Sequence, residues 1–509
     1  MLHLKNWKGS AQSYSALTCI GAFLFVMTAA CGRQQASAQQ QADPLVEQRN
    51  QVLTDHLQQA RHAFYMMTSH NTDTTRADKP VISYYQANNE WLWMLEGSQT
   101  AQADSVATFL RGQVAQQGLS TKAFFLDDID RDMECFRTMK FDGVNMPEVM
   151  ARLEWNLSKA YMRFATGERY GFTEPKRIFS KGVFAIPVES PDSAFWADAF
   201  GALKEGKGCD FLKSCMLTDS VYTKMLTALS NDSTPEGRKR ILCNMERLRW
   251  RDEKAPKDGE RHIWVNIASQ HLWAFTPDSI FSMKICCGKP STKTPLLTSA
   301  IHLIQVNPEW NIPISIIRGE VSHRAGDSAY FARHNYYITN SKGQKVSASS
   351  VTSAQLASGN YRVAQRSGAG NSLGRIIFRF ANPFAVYLHD TSSKGVFNKE
   401  LRMVSHGCVR VQRPFDVAKF LLPDTDPWTL DKIRLSMDLK PETDQGRTYR
   451  KQHTGSLRLI NSKEVEPKVP VQINYFTLYP NPETGKMTTY QDRYGFDPMI
   501  LKAMKAYLP

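Results

Sequence analysis

The apolar residues change their spacing near residue 254, and this change constrains the fold more than any other feature of the sequence. Between about 46 and 250 they recur every three or four positions, which is typical of helices with one buried face. The clearest stripe consists of Val149, Leu153, Leu157, Tyr161 and Phe164. Gly167 is predicted to end that helix. Beyond about 259 the apolar residues alternate instead, as in 263–267, and this pattern predicts β-strands.

With 509 residues, the chain is too long for one ordinary core, so we expect at least two domains. The pattern predicts an α+β multidomain fold, in which a helical scaffold domain precedes a mainly β domain with a long, polar insertion. A loop of that length in a compact domain is usually functional or disordered. The predicted segments are a signal peptide (1–30), a polar tether (31–60), the helical domain (61–255), the β domain (259–435), its insertion (about 313–360) and a C-terminal extension packing on the β domain (436–509).

The first thirty residues have the composition of an export signal. Lys5 and Lys8 precede an apolar stretch that is too short for a permanent membrane span. Two processing sites remain open. Residues 28–31 resemble a lipobox, which would make Cys31 a lipidated first residue, whereas 36–38 (Ala-Ser-Ala) resemble an ordinary signal-peptidase site. In both cases the sequence predicts an exported, periplasmic protein, and the lipobox alternative adds membrane attachment.

The formal net charge of +14 at pH 7 suits polyanionic partners such as wall peptides rich in carboxylates. Nucleic acid is excluded as a partner, because export separates the protein from it and no recognised binding motif is present. No Cys/His cluster has zinc-ligand spacing, so the sequence predicts neither a metal nor another cofactor. Of the nine cysteines, an odd number remains after Cys19 and Cys31 are set aside, so at least one free thiol is expected.

One constellation in the β domain carries chemistry. It consists of His389-Asp390 and then Ser405-His406-Gly407-Cys408-Val409-Arg410. A thiol attacks as its thiolate and therefore needs a base, and histidine is the residue whose proton affinity fits neutral pH. Gly407 permits close backbone approach, so N–H groups there can hold an oxyanion. Each residue alone is more often structural, but Cys408 placed nineteen positions after His389 makes a specific signature.

This signature resembles the YkuD-type L,D-transpeptidase catalytic domain, and further similarity points to its large, two-domain YcbB-like branch with a helical scaffold. The stretches that carry the wider resemblance are 244–250 (NMERLRW), 310–313 (WNIP), 371–374 (NSLG), 388–391 (LHDT) and 492–497 (DRYGFD). The β domain is thereby identified as a catalytic domain of that type. A peptidoglycan-binding module, which that branch often carries, is not evident in this sequence.

The resemblance implies a cysteine acyltransferase that acts on peptidoglycan tetrapeptide stems. Cys408 would attack the carbonyl of the third stem residue and expel the terminal D-alanine, with His389 as general base and then acid. The backbone carbonyl of Asp390 would orient the imidazole, and the backbone N–H groups of Gly407 and Cys408 would form the oxyanion hole. An amine of a second stem would resolve the thioester and link two diamino-acid residues. β-Lactams of the carbapenem class would acylate Cys408.

Residues around the signature are expected to bind substrate, namely Arg410, His406, Ser405, Tyr387, Asn371 and Gly374. In an extended segment Arg410 shares a face with Cys408, and it either pairs with a substrate carboxylate or forms a structural salt bridge. His406 either shapes the pocket or packs. The insertion corresponds to what the branch uses as a lid, and its positive charge would suit acidic stems. The residues that make it basic are Arg318, His323, Arg324, Arg333 and His334.

Two other functions remain open. If water resolves the thioester, the same site makes the protein an L,D-carboxypeptidase or endopeptidase. A non-catalytic wall-binding lipoprotein with a relic site belongs to a different class. The complete set of His389, Gly407, Cys408 and Arg410 argues against a relic, which would be expected to lose its nucleophile or base.

Overall fold

The computed structural model describes residues 44–69, 75–88, 90–95, 98–141 and 143–509. The predicted signal peptide and Cys31 lie outside the described residues. By its contacts the chain divides into Met1–Val52 and Leu53–Pro509, and of the first unit only a helical segment from Pro44 is described. In the part of the chain that the structure describes, no helix has the length and apolarity needed to cross a membrane.

Helices dominate the first half of the chain. The helices are α1 (Pro44–Ser69), α2 (Asp78–Ala87), α3 (Ala101–Gln116), α4 (Leu126–Thr138), α5 (Met146–Tyr170), α6 (Pro175–Ile178), α7 (Ser193–Lys204), α8 (Gly208–Cys215), α9 (Ser220–Asn231), α10 (Pro235–Arg249), α11 (Ile314–Ile316), α12 (Ser328–Arg333), α13 (Ser353–Ser358), α14 (Pro414–Leu421), α15 (Pro427–Ser436), α16 (Asp444–Gln452) and α17 (Phe496–Ala503). Because α1 begins at Pro44, the predicted tether over 31–60 is corrected: its second half is helical.

Helix α5 forms the centre of the helical domain. The predicted stripe is fully buried, and each of its five side chains has 0% exposure. The helix continues past Gly167, however, and ends at Gly171, whose φ of +88° favours glycine. A Cβ at Gly167 would lie 1.9 Å from the Phe172 ring. Gly167 is therefore a packing glycine that admits this ring and does not end the helix.

Strands dominate the second half. They are β1 (Met94–Leu95), β2 (Ser98–Gln99), β3 (Phe184–Ala185), β4 (His262–Asn266), β5 (His271–Phe275), β6 (Ile280–Gly288), β7 (Leu296–Val306), β8 (Trp310–Asn311), β9 (Tyr336–Thr339), β10 (Lys345–Val346), β11 (Arg362–Gln365), β12 (Ile376–Phe380), β13 (Leu388–His389), β14 (Met403–Ser405), β15 (Val409–Val411), β16 (Ser462–Asn474), β17 (Leu478–Pro480) and β18 (Met487–Thr489). The main sheet has the order β12-β13-β15-β6-β5-β4-β16-β7-β3. Because β12 also pairs with β7, the sheet closes on itself around an apolar core.

The C-terminal segment is part of this closed sheet, which corrects the prediction of an extension packed on the β domain. Strand β16 lies between β4, to which it is parallel, and β7, to which it is antiparallel. Further along, Asp497 accepts a hydrogen bond at 2.6 Å from Arg247 of α10, and both side chains are largely buried. The segment therefore completes the sheet and ties it to the helix that leads into it.

The insertion is a small folded layer and not the polar loop that its composition suggested. Strands β8 to β11 form a separate sheet in the order β10-β9-β11-β8. A hydrophobic cluster of its own includes Ile317, Phe331 and Leu356. The turn after α11, Ile317–Val321, is π-helical. Local packing of this kind gives the insertion a defined shape where it meets the main sheet.

Candidate active site

Strands β13 and β15 place the predicted base and nucleophile close together. The two strands are parallel, with Leu388 opposite Val409 and His389 opposite Arg410. Leu388 and Val409 belong to the core of the closed sheet. Because side chains alternate along a strand, His389 and Arg410 lie on the other face. Cys408, immediately before β15, opens into the same cavity as these two residues.

This cavity has a volume of 320 Å³. The predicted residues on its wall are Tyr387, His389, Ser405, His406, Cys408 and Arg410. The insertion supplies another part of the wall, including Glu320, Tyr330 and Tyr336. A concave, partly apolar cavity with a few polar groups is the usual form of a small-molecule site. The insertion thus borders the cavity that holds Cys408, where a lid is expected to lie.

Burial sets the protonation of the Cys408–His389 pair at rest. It raises the pKa of the Cys408 thiol to about 11, although the backbone N–H of Tyr387 and the charge of Arg410 act in the opposite direction. Burial, and after it the charge of Arg410, lowers the pKa of the His389 imidazole to about 4. At neutral pH both groups are uncharged and the proton is on sulfur. The site therefore offers a neutral base beside a thiol, and proton transfer must accompany attack.

The predicted orienting role of Asp390 concerns the free ring nitrogen of His389. Nδ1 is buried and makes no hydrogen bond of normal geometry. The backbone carbonyls of Asp390 and Leu373 both face the imidazole and raise its pKa, against the larger effect of burial. The Asp390 carboxylate is used elsewhere, since it accepts a hydrogen bond at 2.8 Å from the backbone N–H of Arg375 and pairs with Lys394. The role of the Asp390 carbonyl stays a prediction, and the carbonyl of Leu373 is a second candidate.

Ser405 changes the predicted oxyanion hole. Its hydroxyl accepts a hydrogen bond from the backbone N–H of Gly407 at 3.1 Å and donates one to the carbonyl of Cys408 at 2.6 Å. The N–H of Gly407 is therefore occupied, which corrects its prediction as an oxyanion donor. The N–H of Cys408 donates to no acceptor among the described backbone turns. Gly407 instead supplies a φ of +121°, which lets the chain turn into Cys408.

Arg410 carries the positive charge of the cavity. Its Nε is buried without a hydrogen-bond partner, and no carboxylate of the described residues forms an ion pair with it. The alternative of a structural salt bridge therefore has no partner in the described part of the chain. Leaving a buried polar atom such as this Nε without a partner is costly unless a ligand anion meets the guanidinium. This favours the reading in which Arg410 binds a carboxylate.

His406 and Tyr387 also reach the cavity, each with a neighbour that the sequence did not indicate. His406 Nε2 donates to Glu320 Oε1 of the insertion at 2.8 Å, and 35% of the His406 side chain is exposed. His406 thus faces the cavity rim and does not pack inside. Burial raises the pKa of the Tyr387 hydroxyl, and its ring lies 5.2 Å from the Arg379 guanidinium.

Asn371 and Gly374, which were predicted to bind substrate, do not line the cavity. The Asn371 amide is buried and donates to backbone carbonyls, among them that of Arg366 at 3.0 Å, so it braces its own loop. Gly374 has a φ of +65°, and a Cβ there would lie 2.4 Å from the Asp390 carboxyl carbon. Both residues therefore shape the support of His389 and do not contact the space where a ligand would bind.

The sequence analysis missed Glu320, Tyr330 and Tyr336, and it gave weight to basic residues of the insertion that do not line the cavity. Arg318, for example, donates to the carbonyl of Ala357 within the insertion at 2.8 Å. One signal in the sequence could have indicated Glu320, because it is an acidic residue of the insertion without an evident structural role. Glu320 and Asp327 are the only acidic residues between 313 and 360, and Asp327 has the position of a helix cap, a role that it fills at α12.

Among the described residues no group of histidine, cysteine and carboxylate side chains could hold a metal ion. The cysteines from Cys135 to Cys408 are all free thiols, including Cys209 and Cys215, which the spacing allowed to pair. Burial raises the pKa of the Cys286 and Cys287 thiols to about 11 and about 12. Cys408 is the described thiol that shares a cavity with a histidine base.

Comparison with known proteins follows the same division of the chain. A family model described as the L,D-transpeptidase catalytic domain (YkuD) matches residues 260–433, and one described as a Scaffold domain matches 79–229. A Haemophilus influenzae protein named "Putative L,D-transpeptidase" is 28% identical over 322 residues, or 62% of this chain and 60% of that protein. The match thus spans less than two thirds of the relative. The solved Ldtfm-avibactam carbamoyl enzyme shares 16% identity over 33% of this chain and 46% of that one, with a TM-score of 0.19.

Proposed function

We propose that this chain, in which residues 260–433 form an L,D-transpeptidase catalytic domain and residues 79–229 a Scaffold domain, cross-links peptidoglycan stem peptides through a thioester on Cys408. The observation that carries the proposal is the shared cavity of Cys408, the uncharged base His389 and the unpaired guanidinium of Arg410. Together these groups supply a nucleophile, a proton acceptor and an anchor for a carboxylate.

In the first half-reaction the sulfur of Cys408 attacks the carbonyl carbon of the third stem residue. His389, neutral at physiological pH because of its pKa of about 4, accepts the thiol proton as the bond forms. The N–H of Cys408 donates to the oxyanion of the tetrahedral intermediate. His389 then gives its proton to the amine of the terminal D-alanine, which leaves as the C–N bond breaks.

Substrate binding itself improves the base. The charge of Arg410 is the second cause of the low pKa of His389. A stem carboxylate that pairs with the guanidinium would offset that charge and so raise the proton affinity of the imidazole. The empty site holds its thiol protonated and unreactive, and the bound donor makes proton transfer from Cys408 easier.

In the second half-reaction the side-chain amine of another stem attacks the thioester. The C–S bond breaks, an amide links the two diamino-acid residues, and the thiol of Cys408 is restored. Water in place of the amine would yield a trimmed stem, and the protein would then be an L,D-carboxypeptidase or endopeptidase. The two outcomes differ only in the group that reaches the thioester.

Intact-mass analysis of the protein incubated with a tetrapeptide stem tests this proposal. We expect a covalent adduct that lacks the mass of D-alanine, followed by a cross-linked dimer among the products. Cys408→Ala should give neither, whereas Cys135→Ala, which removes a thiol of the helical domain, should behave as the wild type. Cross-linking by Cys408→Ala would exclude the assignment of the nucleophile, and trimmed stems without dimers would identify a hydrolase.

The cellular setting belongs to the same proposal. The apolar stretch before Cys31 supports export to the periplasm, and the lipobox-like residues 28–31 support a lipid on Cys31. Labelled fatty acid should be incorporated into the wild-type protein and not into Cys31→Ala, while soluble protein without label would favour cleavage near Ala38. Carbapenems are expected to acylate Cys408, which the same mass measurement detects.

A further inference from the structure

Glu320 is the acidic side chain that the insertion contributes to the cavity. Its Oε1 lies 2.8 Å from His406 Nε2, and its side chain is 57% exposed. The His406 side chain comes from the segment that carries Cys408, two positions before it. The cavity rim therefore holds a carboxylate–imidazole pair, built jointly by the insertion and the nucleophile loop.

Aromatic side chains line the same cavity as this pair. Tyr330, Tyr336 and Trp310 line the same cavity, and the ring centroids of the two tyrosines are 6.0 Å apart. Burial raises the pKa of the Tyr336 hydroxyl to about 12, with smaller contributions from Tyr330 and Glu320. Ammonium groups bind where a carboxylate is combined with aromatic faces, because both present negative potential. This part of the cavity therefore has the chemistry of an amine site.

The two charges of the cavity are of opposite sign. Arg410 has no carboxylate partner among the described residues, whereas the Glu320 carboxylate has His406 as its described partner. With Arg410 taken by the donor carboxylate, the Glu320 carboxylate is left as the complement of an ammonium group. The diamino-acid side chain of a second stem ends in such an ammonium group when its amine is free.

We propose that Glu320 and His406 bind the primary ammonium group of the acceptor stem and that His406 takes one proton from it. This inference rests on the function proposed above and names its acceptor subsite. Glu320 attracts and orients the ammonium by charge. His406, whose Nε2–H donates to Glu320, accepts the first proton on its other ring nitrogen, Nδ1, which leaves a neutral amine able to attack.

The protons balance with the groups present. The ammonium loses its first proton to His406, and the neutral amine attacks the thioester carbon. The nitrogen then loses a second proton to His389, which passes it to the departing sulfur of Cys408 as the C–S bond breaks. His406 releases its proton to water. A donor stem needs no such base for its own side-chain amine, because that amine does not react. For this reason the Glu320–His406 pair is assigned to the acceptor stem and not to the donor stem.

Glu320→Gln tests the assignment, with Glu309→Gln as its matched control. Glu309 is also an exposed carboxylate near the insertion, but it pairs with the Tyr337 hydroxyl at 2.9 Å and does not line the cavity. Two quantities are measured with each variant: the rate of acylation by a tetrapeptide donor in a single turnover, and the KM for an acceptor stem. We expect Glu320→Gln to raise the acceptor KM about five- to tenfold, the range for one charged hydrogen bond at a partly exposed site. Acylation should stay within about twofold of the wild-type rate, and the control should leave both quantities unchanged.

Other results overturn the inference. If Glu320→Gln slows acylation and leaves the acceptor KM unchanged, the pair only holds the insertion against the nucleophile loop. If neither quantity changes, Glu320 has no part in the reaction. A His406→Gln variant with normal acceptor turnover would remove the proton-accepting role.

A binding measurement separates this inference from the proposed function. D-Alanine carries an ammonium group where D-lactate carries a hydroxyl. Their binding is followed by the His406 imidazole signals in NMR spectra of Cys408→Ser. We expect a saturable shift with D-alanine, none with D-lactate, and a loss of the D-alanine shift when Glu320→Gln is added. If the wild type is acylated but forms no dimers, the proposed function fails, and this titration still shows whether Glu320 and His406 bind an ammonium group. The absence of a shift with D-alanine would contradict the proposal that this part of the cavity binds an ammonium group.

Discussion

Replacing Gly407 with alanine tests whether the turn before Cys408 positions the oxyanion donor. Gly407 has a φ of +121°, which side chains other than glycine rarely adopt. A Cβ at this position would find its nearest neighbours, the Lys293 carbonyl oxygen and Val386 Cγ1, at 3.7 Å. These are ordinary contacts. The substitution is therefore costly through its backbone conformation and not through a clash.

The expected magnitude follows from these two facts. If the turn keeps its shape, the variant loses about 1–3 kcal/mol of unfolding free energy through backbone strain. If the turn relaxes, the hydrogen bond from Gly407 N–H to Ser405 weakens and the N–H of Cys408 moves away from the oxyanion. Loss of one such donor costs about a hundred- to a thousandfold in rate. We expect the variant to stay folded and to acylate at least about a hundredfold more slowly.

Two assays separate strain from misplacement. Denaturant unfolding gives the stability, and single-turnover acylation by a tetrapeptide donor gives the rate. Gly395→Ala is the control, because its Cβ would meet no atom within 4 Å and its φ is not positive. That variant should unfold within about 0.5 kcal/mol of the wild type and acylate normally. A Gly407→Ala protein that is less stable but acylates within about threefold of the wild-type rate would refute the positioning role.

Three further predictions follow from the buried groups. His389→Gln should slow acylation about a hundred- to ten-thousandfold. The pKa of His389 falls from 6.5 to about 4 on folding, so between these pH values the unfolded chain binds a proton that the folded chain does not. The free energy of unfolding of the wild type should therefore drop by about 3 kcal/mol as the pH falls from 6.5 to 4. Unfolding curves of His389→Gln should lack this drop. Alkylation of free Cys408 by iodoacetamide should rise about tenfold per pH unit up to its pKa of about 11, and a plateau near pH 7 would contradict the protonated resting thiol. Asp497→Asn leaves Arg247 buried without its counter-ion and should lower the free energy of unfolding by about 3 kcal/mol in denaturant. Asp416→Asn, at an exposed ion pair, should lower it by about 0.5 kcal/mol or less. Equal losses would contradict the argument from the buried pair.

Periodicity was enough to predict the order of the two halves and the strand β4. Strand β4 (His262–Asn266) covers most of the run 263–267 that the alternation marked, and α5 buries the whole predicted stripe. The position of Gly167 was misleading, because a glycine inside a helix and a glycine that ends one look alike until the ring of Phe172 is seen to pack on it. The strand from Ser462 was assigned to an appended extension, because nothing local indicates which distant strands it pairs with.

The sequence by itself determined the nucleophile and the base as candidates, since Cys408, His389 and the glycine between them form a compact signature whose chemistry depends on residue type. Only the tertiary structure decided how these groups are supported. It brings Glu320 to His406 across 86 positions, occupies the N–H of Gly407 with Ser405, and leaves Arg410 without a described carboxylate partner. Hydrogen-bond partners and burial depend on which distant segments pack together. Packing therefore sets the protonation of Cys408 and His389, which their positions in the sequence do not specify.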